Sequence, residues 1–303
     1  MDIRKIALYT QGGKIVMLLT LLCWFAIIFF FAATVRKFMD YAKKPMHGRQ
    51  DLYPIPGDPE EKAEHGGSYF EDQKWWEQPR KKNHVGEIVD MLKEMLFIKK
   101  LFVKQRKFWW ISYALHLGIY VTIAMLVVAT AGVILPFSGI LAGLVSLAVT
   151  VLGLASGLLI CSGTVGLLVK RLTDREFRSY TTPQEFFNLG FLFAGAFSGL
   201  VAFASNKFSY GYVSKVIRSM LHFKSLKGLN KPTKINLLIV CGLLIYIPVC
   251  KMSHYVGKYY TFHKVIWDNA PNVPGSKVEE TIIAQAYIKP SDDMKWAAPL
   301  MDK

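Results

Sequence analysis

Five long apolar runs, parted by polar and basic stretches, set the pattern of this chain. They predict helices over roughly Ile15 to Val35, Phe108 to Leu135, Ile140 to Val169 and Phe186 to Asn206, with a fifth beginning at Ile235. About 22 residues of that last run are apolar, enough at ~1.5 Å per residue to cross the ~30 Å hydrocarbon core of a bilayer. From Phe108 to Val169 no Asp, Glu, Lys or Arg occurs in 62 residues. A water-soluble surface cannot be built from such a run. The fold predicted is all-α: an integral membrane bundle of five transmembrane helices with a long cytoplasmic connection after the first.

Arg4, Lys5 and Lys14 precede the first run as they would in a secretory leader. Its core of ~20 residues and the Arg36-Lys37 pair after it favour a retained helix. Four parts follow. Residues 1–35 form the N-terminal segment and first helix, 36–107 a polar connection, 108–260 a four-helix membrane domain and 261–303 a tail with no expected fold of its own. In the connection, Val85, Ile88, Val89, Leu92, Met95, Leu96 and Leu101 recur at helical spacing with lysines between them. They predict one amphipathic helix, lying on the membrane, against a partner or on its own protein. The sequence Pro136 to Gly139 reads as the turn between the second and third helices. Trp109 and Trp110 fall where an interfacial aromatic belt is expected. Glycines at 143, 153, 157, 163 and 166 permit close helix contact.

The formal charge of +15 sits mainly at the ends of apolar runs. That is a topology signal, and it excludes nucleic acid as a partner. Lys170, Arg171, Arg175 and Arg178 in a short connection place that side in the cytoplasm, with the N-terminus outside and the C-terminus inside. The seven Lys or Arg of residues 207–234 pull the other way. Cys23, Cys161, Cys241 and Cys250 all lie in apolar runs and form no C-x-x-C, so no zinc ribbon, iron–sulfur cluster or c-type haem is written in the chain.

Two histidines lie in apolar surroundings, His116 in YALHLGIY and His254 in IPVCKMSH. An intramembrane imidazole is costly and marks a functional site by default. In the five-helix topology the second helix starts inside and the fifth ends inside, so both imidazoles lie at similar depth. A six-coordinate haem b needs two such axial ligands, because the porphyrin supplies the other four. Lys251 is placed to pair with a haem propionate or to snorkel to the headgroups. His263 lies beyond the fifth run, His222 in the outer segment, and His47, His65 and His84 in the polar connection, where solvated surface is the expectation.

LHLGI from Leu115, the turn from Lys170 to Thr182 and IPVCKMSHYVG from Ile247 also resemble a known family. It is that of the gamma (cytochrome b) subunit of respiratory nitrate reductase. The chain looks still more like its relatives in the sulfite-reduction complex of sulfate respiration and in heterodisulfide reductase. The resemblance covers roughly residues 10 to 260. It implies a membrane subunit that passes electrons between menaquinone and a cytoplasmic iron–sulfur subunit of the heterodisulfide-reductase type, with a multihaem cytochrome c as a further partner. Such a chain is an electron-transfer subunit rather than an enzyme alone, in the cytoplasmic (inner) membrane. The family's inner haem pair matches His116 and His254. Its outer pair falls on Leu126 and Asn236, which do not serve as haem ligands, so one haem is expected. A haem-free membrane anchor is the competing expectation. A solute transporter is disfavoured by the lack of an inverted repeat.

Overall fold

The computed structural model describes residues 3–43, 54–56, 58, 73–74, 77, 83–135, 137–267, 270 and 273–286, with side chains from residue 17 onward except that of Gln285. Pro136, His47 and His65 lie outside the described residues. Among the described residues every regular element is helical. The helices are α1 (Ile3–Ala42), α2 (His84–Phe97), α3 (Lys99–Lys104), α4 (Arg106–Ile134), α5 (Gly139–Thr173), α6 (Arg175–Tyr180), α7 (Pro183–Ser205), α8 (Tyr210–Leu221), α9 (Lys231–Tyr246), α10 (His254–Thr261) and α11 (Lys277–Ala286). Five stretches are long and apolar enough to cross a membrane: Met17–Ala42 of α1, all of α4, α5 and α7, and Lys231–Val249. The protein is an all-α membrane bundle, as its apolar runs predict.

The chain divides into two compact units, Met1–Thr34 with Leu96–Ser253, and Val35–Met95 with His254–Lys303. In the first, α4 and α5 form a close antiparallel pair. A Cβ on Gly163 would lie 2.5 Å from the backbone nitrogen of Leu115, and one on Gly118 would lie 2.8 Å from that of Ile160. Only residues without a side chain permit this approach, the usual means by which membrane helices gain packing energy when lipid is as apolar as leucine. Leu115, Leu167 and Leu189 join α4, α5 and α7 in one buried cluster. A Cβ on Gly195 of α7 would meet Leu243 of α9 at 2.5 Å. Leu19, Cys23 and Ala26 bring α1 onto Cys241 of α9 and onto Leu226 and Leu229 before it. The Cys23 and Cys241 thiols meet at 3.5 Å, both reduced. The amphipathic α8 closes the end of α4, with Tyr210 Oη donating to the carbonyl of Ala129 at 3.2 Å.

The second unit is smaller. Phe38, near the end of α1, packs on Tyr260 with ring centroids 5.0 Å apart, and Lys264 Nζ donates to the carbonyl of Ala42 at 2.8 Å. Ile55, Phe262 and Trp267 form its apolar cluster. Glu94 is buried and accepts from Lys258 Nζ at 2.8 Å, the pairing a buried carboxylate demands.

Several expectations are corrected. The single amphipathic helix is two, because Ile98 adopts a left-handed conformation (φ 52°) between α2 and α3. The Trp109 indole donates to the carbonyl freed there, Phe97 O, at 2.7 Å, so Trp109 is buried in protein while Trp110 remains exposed. Glu94 and Met91 turn one face of α2 onto its own unit, while Val85, Ile88, Val89, Leu92 and Leu96 are exposed among the described residues. The tail carries a helix, α11, where none was expected.

The fifth crossing also ends earlier than its sequence suggests. Pro248 lacks an N–H and clashes with a preceding turn of α-helix. The backbone tightens to a 3₁₀ turn at Ile247–Val249, extends at Cys250 (φ −112°, ψ −175°) and makes a second 3₁₀ turn at Lys251–Ser253. His254 therefore opens a new helix, α10, instead of closing the fifth crossing.

Candidate functional site

His116 lies ten residues into α4 and is half-buried. Its Nδ1 is 2.7 Å from the carbonyl oxygen of Ser112, one turn back. A carbonyl only accepts, so Nδ1 carries a proton, and in the neutral imidazole that leaves the lone pair on Nε2. A neutral imidazole anchored through Nδ1 is the form in which histidine binds a metal through its other nitrogen. The residue therefore fits a haem ligand. His254 is exposed at the start of α10 and belongs to the second unit. Lys251 belongs to the first. It is exposed and comes within 4.0 Å of Glu185 Oε1, so its carboxylate partner is supplied by α7.

The other histidines have local roles. His263 Nδ1 bonds Tyr259 O at 2.9 Å and its ring stacks on Tyr259. His84 pairs with Glu87, and His222 ends α8. Among the described residues no three His, Cys, Asp or Glu side chains gather into a metal-binding group. A haem asks the protein for only two ligands. At the two positions of the family's second ligand pair, Leu126 offers no donor atom. The Asn236 amide is already occupied, donating to Gly195 O at 3.1 Å and to Ser198 Oγ at 3.0 Å.

A polar cluster built from the Lys170–Thr182 turn and Glu185 just after it stands where α5, α6 and α7 meet. Thr182 and Glu185 form a capping box, with the Thr182 N–H donating to Glu185 Oε2 at 2.8 Å. The T-x-x-E spacing at 182–185 is the signal that locates it. Arg171 Nη1 donates to Thr181 Oγ1 at 3.0 Å and stands 3.5 Å from Glu185. Asn188 and Tyr246 lie one turn deeper, bonded to each other at 2.8 Å. Nothing in their local sequence distinguishes them, since single polar residues in a membrane helix have no periodicity to read.

Asp174 caps α6 through the N–H groups of Glu176 and Phe177 and pairs with Lys170. The Lys170 hydrogen bond, helped by those backbone donors, holds its carboxyl below the usual carboxylate range. A lowered folded-state pKa contributes stability above the unfolded value of about 3.9, and that stability is lost as pH falls through the folded value. Asp174→Asn retains the cap but cannot titrate. Thermal denaturation of the detergent-solubilised protein should therefore show the wild type losing stability relative to this variant below about pH 4, and a constant difference above about pH 5.

Comparison with known proteins accords with this arrangement. Residues 100–266 match the family described as nitrate reductase gamma subunit, more than half of the chain and including α4 through α10. The chain matches no curated relative and no solved structure. With His116 and His254 both inside the matched span, the chain belongs to the nitrate reductase gamma subunit family, whose members are haem b-binding membrane subunits of redox complexes.

Proposed function

We propose that this protein carries electrons between menaquinone and a cytoplasmic iron–sulfur subunit of the heterodisulfide-reductase type, as in sulfite-reduction complexes, through one bis-histidine haem b. His116 and His254 are the proposed axial ligands, with Lys251 placed to meet a propionate. The N-terminus lies outside and the C-terminus inside. The observation that carries the reading is the His116 imidazole, held in a membrane helix with its Nδ1 proton on Ser112 O. Haem bound there supplies one-electron redox chemistry. The chain contributes the ligand orientation, the Arg171/Glu185/Lys251 charges at the mouth of the bundle and the apolar layer around Leu115 that excludes water. The exposed apolar face of α2 suits a docked subunit or the headgroup layer, and a multihaem cytochrome c is a further proposed partner.

Leu126 and the engaged Asn236 support one haem rather than two. The test is a pyridine haemochrome assay on purified full-length protein, followed by reduction with a short-chain menaquinol. About one haem per chain, reduced by the quinol, is the expected result. Two haems overturn the single-site reading, and well-folded protein without haem makes the chain a membrane anchor.

A further inference from the structure

Asn188 is 7% exposed on α7, five residues (about 8 Å) past its first residue, within an apolar crossing. Tyr246 Oη donates to Asn188 Oδ1 at 2.8 Å, and Gln184 Nε2 approaches Tyr246 Oη at 3.4 Å. Asn188 Nδ2, with two hydrogens to give, has no acceptor among the described residues. Turning the carboxamide over does not repair this, because Oδ1 would then lack a donor. Within a bilayer no bulk water satisfies such a group, and one left bare is strongly disfavoured.

The surroundings indicate what satisfies it. Phe187 and Phe191 flank Tyr246, with ring centroids 5.4 and 5.9 Å from the phenol ring. Gln184 and Phe187 are exposed, so the polar series from Gln184 through Tyr246 to Asn188 runs from the surface inward. Leu189, beside Asn188, shares a buried cluster with Leu115, beside His116, so the two polar residues occupy the same layer of the first unit.

We infer that the α7/α9 face around Asn188 and Tyr246 binds the carbonyl head group of a lipid-soluble ligand. Asn188 Nδ2 donates to the ligand's carbonyl oxygen, Tyr246 fixes the carboxamide, and Phe187 offers the flat apolar surface a ring needs. A quinone and a phospholipid ester both present that carbonyl. The choice of quinone rests on the function proposed above, while the site itself does not.

The test uses the full-length protein in nanodiscs. Wild type, Asn188→Leu and Tyr246→Phe are titrated with 2-heptyl-4-hydroxyquinoline N-oxide, a fluorescent quinone-head analogue, and retained phospholipid is counted by mass spectrometry. Asn188→Leu should weaken analogue binding at least about tenfold and Tyr246→Phe about threefold, with retained phospholipid unchanged. Unchanged affinity in both variants, with unchanged phospholipid, overturns the inference. Loss of one phospholipid with analogue affinity intact overturns the quinone assignment and supports a lipid ester as occupant. If Asn188→Leu does not fold, Tyr246→Phe decides, since it removes one hydroxyl and keeps the ring. Analogue binding does not require haem, so haem content measured on the same samples separates failure here from failure of the cytochrome reading.

Discussion

Replacing His116 with alanine is expected to leave the purified chain with less than about a tenth of the wild-type haem, and His254→Ala to do the same. The magnitude follows from ligand chemistry. Loss even of an outer partner of a metal ligand commonly costs ten- to a hundredfold in affinity, and here the proposed ligand itself is removed. Ser112 O holds the His116 ring by a backbone carbonyl, so the preorganisation cannot be borrowed by another side chain. Pyridine haemochrome absorbance read against protein concentration gives the result, with thermal denaturation of each variant as the folding control. Haem retained at wild-type levels in a folded His116→Ala protein would remove His116 from the site and turn attention to His222 or His263.

Gly163→Ala is expected to lower stability by about 1–3 kcal/mol and to disturb the haem spectrum as well. The added methyl would lie 2.5 Å from the nitrogen and 2.8 Å from the Cα of Leu115. Those are backbone atoms, which cannot rotate aside as a flexible side chain does, so α4 and α5 must separate. Leu115 immediately precedes His116, and a displacement of α4 there moves the imidazole. Gly143→Ala on the same helix is the control. A Cβ there meets nothing within 4 Å, and its effect should stay within about 0.5 kcal/mol. Equal melting temperatures for the two variants would show that α4 and α5 do not approach this closely. A lower melting temperature for Gly163→Ala with an unchanged spectrum would separate helix packing from ligand placement.

Number and composition of the crossings were legible because transfer into lipid is summed residue by residue along one helix, and the sum does not depend on neighbours. His116 was legible for a related reason: a lone imidazole in a run without charge stands out against a cost that needs no structure to assess. The division of labour among glycines was not. Gly143, Gly157 and Gly163 look alike in sequence, yet a Cβ on Gly143 points to open space while those on the other two meet Leu200 and Leu115.

The fifth crossing shows where local reading fails. Pro248 is visible, but the two 3₁₀ turns and the extended Cys250 that follow it are stabilised by Ser253 Oγ donating to Cys250 O and by the Cys250 thiol accepting from Met252 N–H. The break at Ile98 is similar: a β-branched residue in the left-handed region is uncommon, and the Phe97 carbonyl beside it is taken by Trp109, twelve residues on from Phe97.

By itself the sequence determined an all-α membrane bundle of five crossings with an imidazole within the second, because hydrophobicity and charge act locally. Tertiary structure alone decided which face of each crossing packs inward, that Lys251 faces Glu185, and that Asn188 and Tyr246 meet across α7 and α9. These crossings are apolar on every side, so no periodicity marks the packed face. The rotation of each helix is set by close contact and hydrogen bonds between helices, which a linear pattern does not contain.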